Sequence, residues 1–199
     1  MSAVRMRSLW SRFRRDAQGL ALVEFGILLP IMLIIYCGMV DVVQMVMANR
    51  KVTQLTLALG DLTARAATVA PSDIQNIFKA AETILMPFDG ATAKMVISSV
   101  VIDASGVAKV CWSSAPEGQQ ARGRGTEVAL PDSVRIPGTS VIMAQANYAY
   151  KPITGYVLKS SAYTLGDKPI YTRPRLGQAG GTQNIEQVVR TGTAACPGY

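Results

Sequence analysis

A chain of 199 residues that is 49% hydrophobic and only 17% charged has room for one modest folded domain plus an appended apolar segment. It contains no histidine, which excludes serine triads, Cys-His dyads and His-containing zinc sites, and Cys37, Cys111 and Cys196 are too scattered for a metal motif. Of the 20 basic and 13 acidic side chains, Arg5, Arg7, Arg12, Arg14, Arg15 and Asp16 lie in residues 1–19, which leaves 15 basic and 12 acidic for the rest; this placement suits a leader beside a membrane and argues against a nucleic-acid surface.

The chain divides into a basic cytoplasmic leader (1–19), a transmembrane helix (20–42), an amphipathic helix continuing it as a spine (43–70) and an exported α+β domain (71–199). Residues 20–40 read LALVEFGILLPIMLIIYCGMV, in which one acid and one proline interrupt an uncharged run. A helix needs about 20 apolar residues to cross the hydrocarbon core. The run is long for a cleaved secretory signal, and no small-x-small site closes it. The arginines precede it, and Asp41 is the only charge between it and Arg50. By the positive-inside rule the N-terminus stays cytoplasmic, and residues from about 43 onward lie outside.

Glu24 needs a reason, because an acid at the centre of a span costs about 2.5–3.5 kcal/mol, less near an edge. The plain explanation is a position near the cytoplasmic interface, within reach of water. The sharper one is a cut after Gly19, which makes Leu20 the first residue and Glu24 the fifth. The new α-amine, cationic below a pKa of about 8, then lies near a carboxylate, and neighbouring parallel helices can pair the two. Gly19 offers a protease no side chain and favours an unwound backbone.

Arg14-Arg15, Gly19, the short apolar stretch Leu20 to Val23, Glu24-Phe25 and Leu28-Leu29-Pro30 follow one another in a recognisable order. Over residues 14–60 this pattern resembles the N-terminus of TadE-like proteins of the Tad (Flp) pilus assembly system. The resemblance implies a structural, non-enzymatic pseudopilin of the bacterial inner membrane, cut between Gly19 and Leu20 by a prepilin peptidase. It implies a docking and assembly role for Glu24, Phe25 and Pro30. Its expected partners are membrane lipid, other pilin-like subunits and the peptidase, with no cofactor, metal, nucleic acid or small-molecule substrate. TadG-like relatives carry a similar helix and stay uncut, which implies the alternative of a membrane-anchored periplasmic binding module contacting cell-envelope components. A membrane-tethered enzyme is a third class, opposed by the absent histidine and the lack of paired carboxylates. Pro30 removes one helical hydrogen bond and kinks the axis, which membrane helices tolerate.

After Asp41 the chain becomes amphipathic. Met45, Ala48, Val52, Leu55, Leu59, Leu62, Ala66 and Val69 follow 3-4 spacing, a seam that packs on the chain's own domain or on neighbouring subunits. Gly60 weakens this helix by about 1 kcal/mol relative to Ala. Ala70-Pro71-Ser72-Asp73 ends it, and Ser72 or Asp73 caps a second helix from Ile74 to Met86, which Pro87 stops.

The remainder reads as strands: Lys94 to Ile102, a turn at Asp103 to Gly106, and a return from Val107 to Ser113. Ser114 to Ser133 is rich in Gly, Pro, Gln and Arg, a mobile loop. Ser140 to Tyr150 alternates as a third strand, and Tyr156 to Leu165 and Pro169 to Tyr171 add short edge pieces. The expected fold is α+β and pilin-like, a long N-terminal helix followed by a small antiparallel sheet domain. Cys111 and Cys196 both fall in the exported part, where an oxidising compartment permits a disulfide, whereas Cys37 lies in the span. Cys111-Trp112, Tyr171 to Arg175 and the late Cys196 also resemble the TadE-like pattern, more loosely.

Other motifs are weaker. Gly118 to Arg124 has phosphate-loop glycine spacing but no Lys-Ser/Thr. Arg173 and Arg175 flank Pro174 and suit either an acidic partner or a solvated, salt-bridged edge. Asp103, Asp132 and Asp167 stand singly in turns.

Overall fold

The computed structural model describes residues 17–155 and 161–197, with side chains from residue 21 onward. Nearly all of the basic leader and residues 156–160 of the expected edge piece lie outside that set. The described residues form two compact units. One comprises the chain up to Gln44 with Pro152–Ser161, and the other Met45–Lys151 with the chain from Ala162.

Helix α1 runs Ala17–Ala64, 48 residues or about 72 Å at 1.5 Å per residue, with Pro30 inside it. It therefore starts before Gly19 and stops short of Val69. Thr68–Val69 is instead a strand, β1, paired in parallel with Val189–Arg190. Helix α2 spans Pro71–Ile84 and has Ala70 rather than Ser72 or Asp73 at its N-cap; the Asp73 carboxylate accepts the Ala70 N–H at 3.0 Å. Its buried face is Ile74, Phe78 and Ala81, the 4-3 spacing of an amphipathic helix.

The second unit is an antiparallel sheet with helices on one face. Strand β2 (Lys94–Ile102) pairs with β3 (Ala108–Ser114) on one side and β4 (Thr139–Tyr150) on the other. The free edge of β4 holds two short strands in tandem, β5 (Tyr163–Leu165) and β6 (Ile170–Thr172). Strands β7 (Gln178–Gly180) and β8 (Ile185–Gln187) form a hairpin, and β9 (Val189–Arg190) pairs with β1. Period-2 alternation sorts β2. Met95, Ile97 and Val101 share a cluster with the helices, whereas Val100 and Ile102 join Val110, Val141 and Met143 on the opposite face.

Residues 115–138 cover that second face. They carry the buried Leu130 against it and bond along the β3 edge, with Val110 N–H on Thr126 O at 2.9 Å and Val128 N–H on Ala108 O at 3.0 Å. A stretch expected to be mobile is thus docked, because its apolar Val128, Leu130 and Val134 have a sheet face to cover.

The seam of α1 packs mainly on the chain's own sheet. Ala48, Val52, Leu55 and Leu59 are 0–1% exposed and Met45 is half-buried. Leu62 does not belong to the seam: it is 39% exposed, and Thr63 is buried in its place. A strict 3-4 repeat has a period of 3.5, and a straight helix of 3.6 drifts by about 20° per heptad, so the contact line moves one residue on. Gly60 lies on this line. A Cβ there would sit 2.9 Å from Thr172 Oγ1, so the glycine allows close approach of helix and sheet.

Candidate functional site

The feature with no structural use inside the molecule is the first part of α1. Leu22, Val23, Phe25, Ile27, Leu28, Leu29, Ile31 to Tyr36 and Met39 are all exposed, on every side of the helix. A helix that is apolar all round and not covered by its own protein suits a nonpolar solvent. Its most apolar stretch has a mean hydropathy of 2.3, and by length and composition it can cross a membrane.

Glu24 and Phe25 project from this helix four and five residues after Leu20, both exposed, with no hydrogen-bond or ion-pair partner for the carboxylate among the described residues. Gly19 and Leu20 lie in regular helix. Pro30 sits mid-segment without breaking the helix assignment. The structure thus places Glu24, Phe25 and Pro30 on one uncovered element. It separates them from Val52, Leu55 and Leu59, whose side chains are already packed on the sheet.

At the far end of the apolar stretch Asp41 is fully buried. Its carboxylate accepts the Thr154 N–H at 3.0 Å, the Gly155 N–H at 3.1 Å and the Thr154 hydroxyl at 2.5 Å. In the sequence Asp41 stands out only as the isolated charge before Arg50. That isolation was the available signal, since a lone acid beside an apolar run needs donors from elsewhere in the chain.

In the sheet domain Cys111 and Cys196 form a disulfide with Cα atoms 5.7 Å apart. Local geometry explains how Cys111 reaches the tail. Ser99 pairs with Trp112 and Val100 with Val110, so Cys111 is the extra residue of a β-bulge. The bulge turns Cys111 and Trp112 into the same core cluster, and Trp112 Nε1 donates to Val188 O at 2.7 Å. The fully buried Gln187 holds the other half of the bridge. Its Oε1 accepts the Cys196 N–H at 3.0 Å and its Nε2 donates to Cys196 O at 2.6 Å.

The weaker motifs resolve into ordinary structure. Gln119, in the glycine-spaced loop, accepts the Met95 N–H at 2.7 Å and donates to Ala93 O at 2.9 Å, which docks the loop on β2. A groove of about 410 Å³ beside it is lined by Lys94, Val96, Gln119, Gln145 and Asn147, without a carboxylate, hydroxyl or thiol side chain among them. Arg175 pairs with Asp61 at 2.5 Å, and its N–H bonds Ala64 O at the end of α1. The Ser105 hydroxyl, then the Val107 N–H, hold the Asp103 carboxyl below its usual range, and burial followed by the nearby Asp89 charge pushes the Tyr148 hydroxyl up. Among the described residues no group of three His, Cys, Asp or Glu is placed to bind a metal.

No curated protein and no solved structure matches the chain. Residues 19–58, the stretch holding Gly19, Glu24, Phe25, Pro30 and the seam from Met45 to Leu55, match the family model described as TadE-like protein.

Proposed function

We propose that this protein is a pseudopilin-like structural subunit of a Tad-type pilus assembly system. Residues 20–42 span the inner membrane, the basic leader stays cytoplasmic, and the sheet domain is presented in the periplasm. A prepilin peptidase cuts after Gly19, and the freed α-amine of one subunit pairs with Glu24 of its neighbour as the helices associate. The observation that supports this reading is the uncovered, all-round apolar helix with one carboxylate five residues beyond Gly19, inside the TadE-like match. The packed seam from Ala48 to Leu59 serves the chain's own fold, so contacts between subunits fall on residues 20–47.

One observation favours a second reading, an uncut anchor presenting the sheet domain to cell-envelope components. The helix is continuous across Gly19–Leu20 from Ala17, and a peptidase has to open it to reach that bond. Substitution of Glu24 tests the assembly role. Glu24→Ala keeps the protein in the membrane fraction but strongly reduces crosslinking to neighbouring subunits and piliation, whereas Glu24→Asp retains part of both. Wild-type piliation by Glu24→Ala contradicts the docking role.

A further inference from the structure

Asp41 does more than end the apolar stretch. The Thr154 and Gly155 groups that donate to it belong to residues more than a hundred positions later in the chain. On the helix, Gly38 and Asp41 are buried and Cys37 is half-buried, whereas Met39, Val42 and Val43 remain exposed. Beside the clasped Thr154, Ile153 is 71% exposed. A branched aliphatic side chain is therefore held out from backbone fixed on both sides of Thr154, with little of the protein against it.

Depth decides what meets Ile153. The residues from Leu20 to Val40 extend about 31 Å as a helix, close to the roughly 30 Å of a bilayer's hydrocarbon core. Asp41 then falls at the boundary of that core, and Thr154, bonded to it directly, lies at the same level. Ile153 is one residue away, within about 4 Å of Thr154 along the backbone. Val42 and Val43, which follow Asp41 on the helix, are also exposed. The arrangement also answers the cost of placing a carboxylate there, because the site supplies Asp41 with donors that lipid lacks.

We propose that the stretch Pro152–Gly155 is a second membrane contact, with Ile153 seated at the headgroup–acyl boundary of the leaflet at the C-terminal end of the span and held there by the Asp41–Thr154 clasp. The inference rests on the reading of residues 20–42 as a span. Two attachment points fix the rotation of the helix about its axis, which a single helix in lipid leaves free. They thereby orient the face that carries Glu24.

Full-length protein in a Cys37→Ala background, reconstituted in phosphatidylcholine vesicles, tests this. An environment-sensitive fluorophore is attached in turn at Ile153→Cys, at Ile31→Cys in the span, and at Leu176→Cys, an exposed position in the sheet domain. Quenching is read with lipids carrying a nitroxide high on the acyl chain and with aqueous iodide. The expected result is severalfold stronger lipid quenching at Ile153→Cys than at Leu176→Cys, falling to the Leu176→Cys level when Asp41→Ala is added. Iodide quenching at Ile153→Cys equal to that at Leu176→Cys, with Ile31→Cys still quenched by lipid, overturns the second contact and leaves the span intact. Iodide quenching at Ile31→Cys as well overturns the span and the inference with it. Lipid quenching at Ile153→Cys that survives Asp41→Ala overturns the role given to the clasp.

Discussion

Removing the Cys111–Cys196 bridge with the pair Cys111→Ala and Cys196→Ala takes away the covalent tie between the last part of the chain and the sheet. The two cysteines are 85 residues apart, and closing a loop of that length in the unfolded chain corresponds to about 4–5 kcal/mol in the chain-entropy model. Measured bridges more often contribute about 2–4 kcal/mol. Two features of this site bring the expected loss to about 3 kcal/mol. Gln187 still holds the Cys196 backbone from both sides, and the two small alanines leave little unfilled space. Urea unfolding of the full chain in detergent micelles, followed by fluorescence, measures it, since Trp112 lies beside the bridge and bonds to Val188. With a slope of about 2 kcal/mol per molar urea, the midpoint falls by about 1.5 M. Cys37→Ala serves as the control and leaves the midpoint in place. A double variant with the wild-type midpoint, or a non-reduced protein that runs on a gel as the reduced one does, refutes the reasoning.

Other outcomes follow from the same contacts. Leu55→Ala, at a fully buried seam position, lowers stability by about 2–5 kcal/mol, whereas Leu62→Ala stays within about 0.5 kcal/mol; equal losses in thermal unfolding would show that α1 packs in the unshifted 3-4 register. Gln187→Leu strips partners from the Cys196 N–H and C=O and costs about 1–3 kcal/mol for each group left buried and unpaired, read as a lower urea midpoint and faster amide exchange at Cys196. Asp103 has a folded pKa below its unfolded value near 3.9, so its contribution to the turn is present above that value and is lost as pH falls through the folded pKa. The Val107 amide resonance therefore titrates below about pH 3.9, and a midpoint at or above that value contradicts the hydrogen bonds assigned to the turn.

Elements whose cause is local were legible from residue order. The apolar helix follows from the run Leu20 to Val40, in which Glu24 is the single charge, and β2 from the β-branched-rich run Lys94 to Ile102. The turn at Asp103 follows from the acid and from Gly106, which adopts a φ of +82°. Elements set by distant partners were not legible. Ala66 and Val69 continue the helical spacing, yet β9 recruits Thr68–Val69 into a parallel pair, and two β-branched residues make the exchange easy. The bulge at Cys111 has no marker in the sequence, because Val-Cys-Trp-Ser reads equally well without it. The tandem placement of β5 and β6 on one edge depends on where the chain between them turns, at Gly166 with a φ of +81°. At the candidate site Gly19, Glu24 and Pro30 stood out because each breaks a local rule of its apolar surroundings. Thr154 and Gln187 break none, and only their contacts with Asp41 and Cys196 show what they do.

The most direct measurement is the intact mass of the membrane-extracted protein from cells with and without a prepilin peptidase. The expected result is loss of residues 1–19 in the first strain alone, leaving Leu20 as the N-terminus and Glu24 as the fifth residue. A full-length mass in both strains contradicts it, and the protein is then an uncut anchor.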